Sequence, residues 1–238
     1  MSDTAGTLLS VRGEARQVVP PDAVTMTATV QVTHGSKAEA LRMAAANLNS
    51  LTAELAAHGG VALEAGTERR PLTWSAQSAT TRAERSYDKQ TGSHELTGQV
   101  TAVVEVVITA RAFELLDPLG ALLAVHETVS VRQVSWDVDW DNPGWQEVRA
   151  AAIHAAIRKG RDYATALGGS LSSVEHIADA GLLGGDHAQT QLVARSAAGF
   201  ALVGGGESDP PSLDPVPQEL TAVIEARLVA DGVSLTAP

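Results

Sequence analysis

Residues 22–34 read DAVTMTATVQVTH. Val24, Met26, Ala28, Val30 and Val32 share one parity, and Thr25, Thr27, Thr29 and Gln31 the other. Successive side chains of a strand leave on opposite sides, so this alternation describes a strand with one buried and one wetter face. From Ser36 the period changes. Leu41, Ala44, Ala45, Leu48, Leu51 and Leu55 follow at helical spacing, and Gly59-Gly60 ends the run. Ser36 with Glu39 three residues on has the form of a capping box, which would satisfy free N–H groups at the helix start. A strand therefore passes into an amphipathic helix that is stopped by glycine.

Outward from this pair, TLLSVRG (7–13) reads as a strand closed by a turn at Pro20-Pro21. Downstream lie two long extended segments, about 64–86 and 94–109, joined by the polar YDKQTGSH (87–94), so the pair reads as a hairpin. A short helix is expected over 112–125, with Pro118 either tolerated near its first turn or kinking it. SVRQVSWDVDW (130–140) alternates as a strand, and Asn142-Pro143 opens a long helix to about Leu167, closed by Gly168-Gly169. Strands are expected again at 170–180 and 189–203. GGGESDPPSLDPVP (204–217) is a loop by composition, and QELTAVIEARLVADG (218–232) forms the last strand.

The chain also matches itself. AAHGGVAL (56–63) and TALGGSLS (165–172) are both helix ends stopped by Gly-Gly, and Glu95-Leu96-Thr97 and Glu219-Leu220-Thr221 both open apolar strands. The expected organisation is one domain over 6–230, internally repeated at about 22–109 and 129–230, with a flexible loop at 203–217. The fold class is α+β: repeated strand–helix–strand–strand modules forming antiparallel sheets, with long helices packed on one face.

Composition narrows the chemistry. A chain of 238 residues can bury roughly 70% of the surface its unfolded form exposes. With no cysteine it forms no disulfide, thiolate metal site or thiol nucleophile. Seventeen basic against 28 acidic residues give a charge of −11, which disfavours nucleic acid as a partner. The N-terminal MSDTAGTLLSVRGEARQ has no basic region followed by an apolar stretch, so no signal peptide is read and a cytoplasmic location is expected. No run is apolar for 18 residues, so membrane insertion is not expected.

Asp137, Asp139 and Asp141 occupy positions one, three and five of a calcium-loop pattern, but positions six and twelve hold Asn142 and Val148 in place of glycine and glutamate. On a strand these three aspartates would face one way, and Trp136, Val138 and Trp140 the core. Asn142, or Asp141, would cap the next helix. The histidines at 34, 58, 94, 126, 154, 176 and 187 have no metal-ligand spacing and suit surface or helix-end roles. Ser170 after Gly168-Gly169 sits at a helix stop, not in a nucleophile elbow, and Gly204-Gly205-Gly206 lacks the context of a phosphate loop. Arg69, Arg70, Arg82 and Arg85 lie on the long hairpin, where anion binding and pairing with acidic residues of a neighbouring subunit stay open beside the default of solvated charge. The hairpin from Glu64 to Thr109 is the candidate for reaching a neighbour. Ala150, Ala151, Ala152, Ala155, Ala156 and Ala164 make the long helix slim enough for close approach. No catalytic, cofactor-binding or metal residue is assigned.

Four stretches together resemble the SIMPL-domain proteins, a family of largely unknown function that includes periplasmic immunogenic proteins of bacteria. They are the strand ending at Gly13 with Pro21-Asp22-Ala23, and ELTGQVTAVVEVVI (95–108) with its helix and the strand 131–140. The third is EVRAAAIHAAIRKGRDYATALGGSLSSVEHI (147–177), and the fourth the closing segment from Asp214 to Glu219. Gln218 stands where the family usually has glycine. The resemblance implies an α+β fold, homo-oligomers that are in some cases ring- or channel-like, no established enzymatic activity and no cofactor. Envelope members carry a signal peptide, from which this sequence departs. The expected function is that of a non-enzymatic homo-oligomeric scaffold or interaction module. The alternative is a small-ligand or divalent-cation-binding protein using the acidic strand face or a pocket between subunits. The one partner named is a second copy of the chain.

Overall fold

The computed structural model describes residues 6–88, 92–183, 193–196 and 213–234. In chain order the strands and helices are β1 (Thr7–Val19), β2 (Ala23–His34), α1 (Lys37–Ala57), β3 (Val61–Ala62), β4 (Leu72–Ala76), β5 (Thr80–Asp88), β6 (Ser93–Ala110), α2 (Leu116–Val125), β7 (Val129–Asp137), α3 (Pro143–Ala166), β8 (Ser170–Asp179), β9 (Val193–Ser196) and β10 (Gln218–Asp231). They divide into two units. Unit one takes the described residues of 1–20, 138–199 and 217–238, and unit two those of 21–137 and 200–216. The α+β class expected from the sequence is the class observed.

Unit two is built on a sheet of order β3-β4-β6-β2-β7, with β5 also paired to β6. Every pairing is antiparallel except the short β3–β4 contact. The alternation of β2 decides which face is buried. Val24, Met26, Ala28, Val30 and Val32 lie in the core, with Ala102, Val104, Val106, Ile108 and Ala110 of β6 in the same cluster. Ala40, Ala44, Leu51 and Leu55 of α1 and Leu116, Leu119, Leu122 and Leu123 of α2 belong to it as well. Side chains the size of Leu51 and Leu55 contribute roughly 1.5–3 kcal/mol each when fully buried. The opposite face is a threonine ladder. Thr25 pairs with Thr109 at 3.5 Å, Thr33 with Thr101 at 2.6 Å, and Thr29 with Ser130 at 2.9 Å.

Unit one contains a sheet of order β1-β10-β8, with β9 added to β10. β1 and β10 pair without interruption from Thr7 opposite Ala230 to Val19 opposite Gln218. Leu220, Ala222, Ile224, Ala226, Leu228 and Ala230 of β10 are buried with Leu9, Val11 and Val19 of β1. α3 contributes Val148, Ala152, Ala156, Gly160 and Ala164, one residue every four, so the buried row lies along a single face. Of the alanines expected to slim this helix, Ala152, Ala156 and Ala164 are buried, whereas Ala150 and Ala151 are exposed.

Both long helices stop as their Gly-Gly pairs require. Gly59 and Gly168 have φ of 81° and 75°, and the next residue closes the end: Gly60 N–H donates to Leu55 O and Gly169 N–H to Ala164 O, each at 2.9 Å. Three expectations are corrected. The capping box at Ser36 does not form: the Ser36 side chain makes no cap bond, its N–H donates to His34 Nδ1 at 3.0 Å, and Glu39 pairs instead with Arg42 at 2.8 Å. The extended segment from 64 to 86 is broken. Thr67 closes a turn on Glu64, Gly66 takes φ of 87°, and strand resumes only at Leu72. The strand expected over 130–140 ends at Asp137.

The Glu-Leu-Thr triplets stand at different places on their strands. Glu219 is opposite Val18 of β1, whereas Glu95 lies past the end of β2, opposite Ser86 of β5. Of the loop expected over 203–217, residues 203–212 lie outside the described residues, as does the 189–203 strand apart from β9.

Candidate functional site

Two places in the structure have features that packing alone does not use. The first is the β5–β6 ribbon of unit two. β2 pairs with β6 only as far as Val100, opposite His34, and β4 only from Val106 onward. The stretch of β6 from Ser93 to Leu96 therefore pairs with β5 alone among the described residues, and residues 97–99 bulge out of the ladder. A two-stranded ribbon is marginal in water unless something covers it. Here both faces are wet, and they carry Leu96 at 65% and Tyr87 at 55% exposure. Tyr87 and His94 stand opposite each other, with ring centroids 5.2 Å apart. Arg82 pairs with Glu84 at 3.3 Å, two residues along the same face. The Thr101 hydroxyl donates to the Glu84 carboxylate at 2.5 Å and, with Arg82 adding its charge, holds the Glu84 pKa below the ordinary carboxylate value.

The second place is a pocket of about 310 Å³ in unit one, lined by Ser10, Val11, Arg12, Leu183, Glu225, Ala226 and Arg227. Glu225 accepts from the backbone N–H groups of Gly181 and Leu183 and from Arg12 Nη2 at 3.3 Å. These bonds, the Gly181 N–H foremost, lower its pKa. Arg227 Nη2 donates to Leu183 O at 3.2 Å. Arg12 thus pairs with an ionised carboxylate that is tied to the 181–183 turn, and Arg227 holds the same turn through the Leu183 carbonyl. None of these three was singled out in the sequence, because Arg12 and Glu225 are 213 residues apart and meet only through the β1–β10 register.

The residues singled out in the sequence are not drawn together. Asp137 ends β7, and its carboxylate accepts from Thr25 Oγ1 at 2.6 Å. Asp139 and Asp141 lie beyond the strand, so the expected common acidic face does not exist. The cause is the next helix. Asn142 caps it, accepting from Gly144 N–H at 2.8 Å, and its own N–H turns back to Asp139 O at 3.1 Å. Trp145 Nε1 takes the same carbonyl at 2.9 Å. Trp140, expected in the core, is consequently 82% exposed.

Among the described residues no three His, Asp or Glu side chains are grouped to hold a metal. His126 pairs with Glu54 at 3.1 Å, His34 serves the start of α1, and His58 follows its end. His187 and Gly204-Gly205-Gly206 lie outside the described residues. Arg82 and Arg85 are on β5, and the backbone N–H of Arg70 closes the turn on Thr67. The Arg82–Glu84 pair has a signal in the sequence, since opposite charges two apart on a strand share a face. Among the described residues, no helix is long and apolar enough to cross a membrane.

A family model matches residues 9–228, most of the chain; it is that of SIMPL, described as a protein of unknown function (DUF541). No curated protein matches the chain.

Proposed function

Since the chain belongs to the SIMPL family, whose function is unknown, we propose that it acts as a homo-oligomeric scaffold or interaction module with no chemistry of its own. The carrying observation is the β5–β6 ribbon, a two-stranded extension past β2 that exposes Tyr87 and Leu96. Exposed strand edges and apolar side chains on so thin an element favour a partner that covers them. Light scattering behind size exclusion tests this. Assembly larger than the 24.6 kDa chain is expected, and it should weaken in a Tyr87→Asp, Leu96→Asp variant. A single monomeric species across a hundredfold concentration range would refute it.

A second reading, small-ligand binding, is favoured by the pocket between Arg12, Glu225 and Arg227. A lining that holds two arginines and one glutamate suits a small molecule that itself carries an acidic group. Calorimetry with phosphate, acetate and free amino acids, alongside calcium and magnesium, distinguishes the two. Heat that vanishes in Arg227→Ala supports the pocket, and absence of heat with every probe removes it.

A further inference from the structure

We propose that β5 pairs edge to edge, antiparallel, with β5 of a second copy about a two-fold axis at Ala83. The proposal rests on the oligomeric reading above and names its contact. β5 is hydrogen-bonded on one side only, to β6, among the described residues. Its other edge offers a run of backbone donors and acceptors over Thr80–Asp88. Many edges are blunted by a bulge, and the β5–β6 pairing has an irregularity between Ala83 and Arg85. The surplus residues, however, belong to β6. Opposite the step from 83 to 85, β6 runs from Val100 to Leu96, with Gly98 at φ of 77°. β5 itself stays continuous, and among the described residues no strand pairs with its outer edge.

Charge selects the register. An antiparallel two-fold pairing sets each residue opposite one of the same face, and the residue on the axis opposite itself. An axis at Arg82, Glu84 or Arg85 would place like charges directly against each other, which is destabilising. An axis nearer either end shortens the pairing. At Ala83 a small neutral side chain meets its copy, Arg82 of each chain stands opposite Glu84 of the other, and Thr80 stands opposite Ser86. Arg82 and Glu84 already touch within one chain, at 3.3 Å. The two-fold therefore closes a ring of four alternating charges, with each Glu84 held in place by Thr101 beneath it.

The absence of cysteine makes the test clean. Residues directly opposite in an antiparallel pair have Cα atoms about 4.5–5.5 Å apart, within disulfide reach. Mild oxidation of the Ala83→Cys protein should give a covalent dimer on a non-reducing gel, and Ser86→Cys, opposite Thr80, should give none. Independently, Arg82→Glu should weaken self-association more than about tenfold by placing glutamates opposite one another. The double exchange Arg82→Glu, Glu84→Arg should restore it by rebuilding the ring with its signs reversed. If the chain assembles by light scattering but Ala83→Cys yields no dimer and both charge variants assemble like the parent, the β5 contact is wrong and the oligomeric reading survives. A monomer under all conditions overturns both.

Discussion

Gly13 of β1 lies directly under the backbone of α3 at Ala152. A methyl group added to Gly13 would collide with the Ala152 carbonyl oxygen and stand 2.7 Å from the Ala156 nitrogen. The helix can sit this close because its buried row is Ala152, Ala156, Gly160 and Ala164. Gly160 completes the fit from the other side, where an added Cβ would run into the Leu228 side chain.

Gly13→Ala should therefore lower stability by about 1–3 kcal/mol, the cost of overpacking a filled site, and Gly13→Val by more. Gly35 provides the control, because the nearest atom to an added Cβ there is 4.0 Å away. Gly35→Ala should stay within about 0.5 kcal/mol of the parent. Urea unfolding of the three variants checks this; a Gly13→Ala protein as stable as the parent would mean that α3 does not cross β1 at this point.

The two long helices begin differently, and mutation should separate them. The Asn142 side chain accepts from Gly144 N–H, so Asn142→Ala should cost about 0.5–2 kcal/mol. Ser36 occupies the same position before α1 but makes no side-chain bond, and Ser36→Ala should change stability by less than about 0.5 kcal/mol. Equal losses in thermal or urea unfolding would show that the Ser36 hydroxyl caps α1 after all.

Much of this was readable where one local signal stood unopposed. The parity of residues 24–32 specified the buried face of β2, and each Gly-Gly pair located a helix end to within a residue or two. Errors arose where two signals overlapped. Alternation from Ser130 through Trp140 favoured a strand, yet the cap at Asn142 needs the chain to turn from Asp139 onward, and the cap prevailed. The Ser36–Glu39 spacing fitted a capping box, but His34 and Arg42 took both partners first. The pocket residues and the overhang of β6 past β2 depend on pairings between distant strands, which no local periodicity encodes.

Glu225 should shape the acid limb of the stability curve. Its folded-state pKa lies below the ordinary value of 4.5, through backbone N–H groups led by Gly181 and through Arg12. A carboxylate lowered in the native state stabilises it fully above its unfolded pKa, and loses that contribution as pH falls through the folded one. The parent should therefore lose stability below about pH 4.5 more steeply than a Glu225→Gln variant, which should be less stable at pH 7. Unfolding midpoints measured from pH 7 to pH 3 provide the check, and parallel curves would show that the carboxylate is not engaged with the 181–183 turn.

The end of β7 can be tested with its two tryptophans. Trp136 is buried in the core of unit two, edge-on to Phe113 with ring centroids 6.0 Å apart, and lies one residue before the strand stops. Trp140 follows the stop and is exposed. Trp136→Ala should cost about 3–5 kcal/mol, since it empties a large packed site. Trp140→Ala should remain within about 0.5 kcal/mol of the parent, because a side chain already in water leaves no cavity. Fluorescence should divide likewise, with Trp140 supplying most of the emission that iodide quenches in the folded protein. If strand alternation ran on to residue 140, both substitutions would be costly and neither indole would be accessible to the quencher.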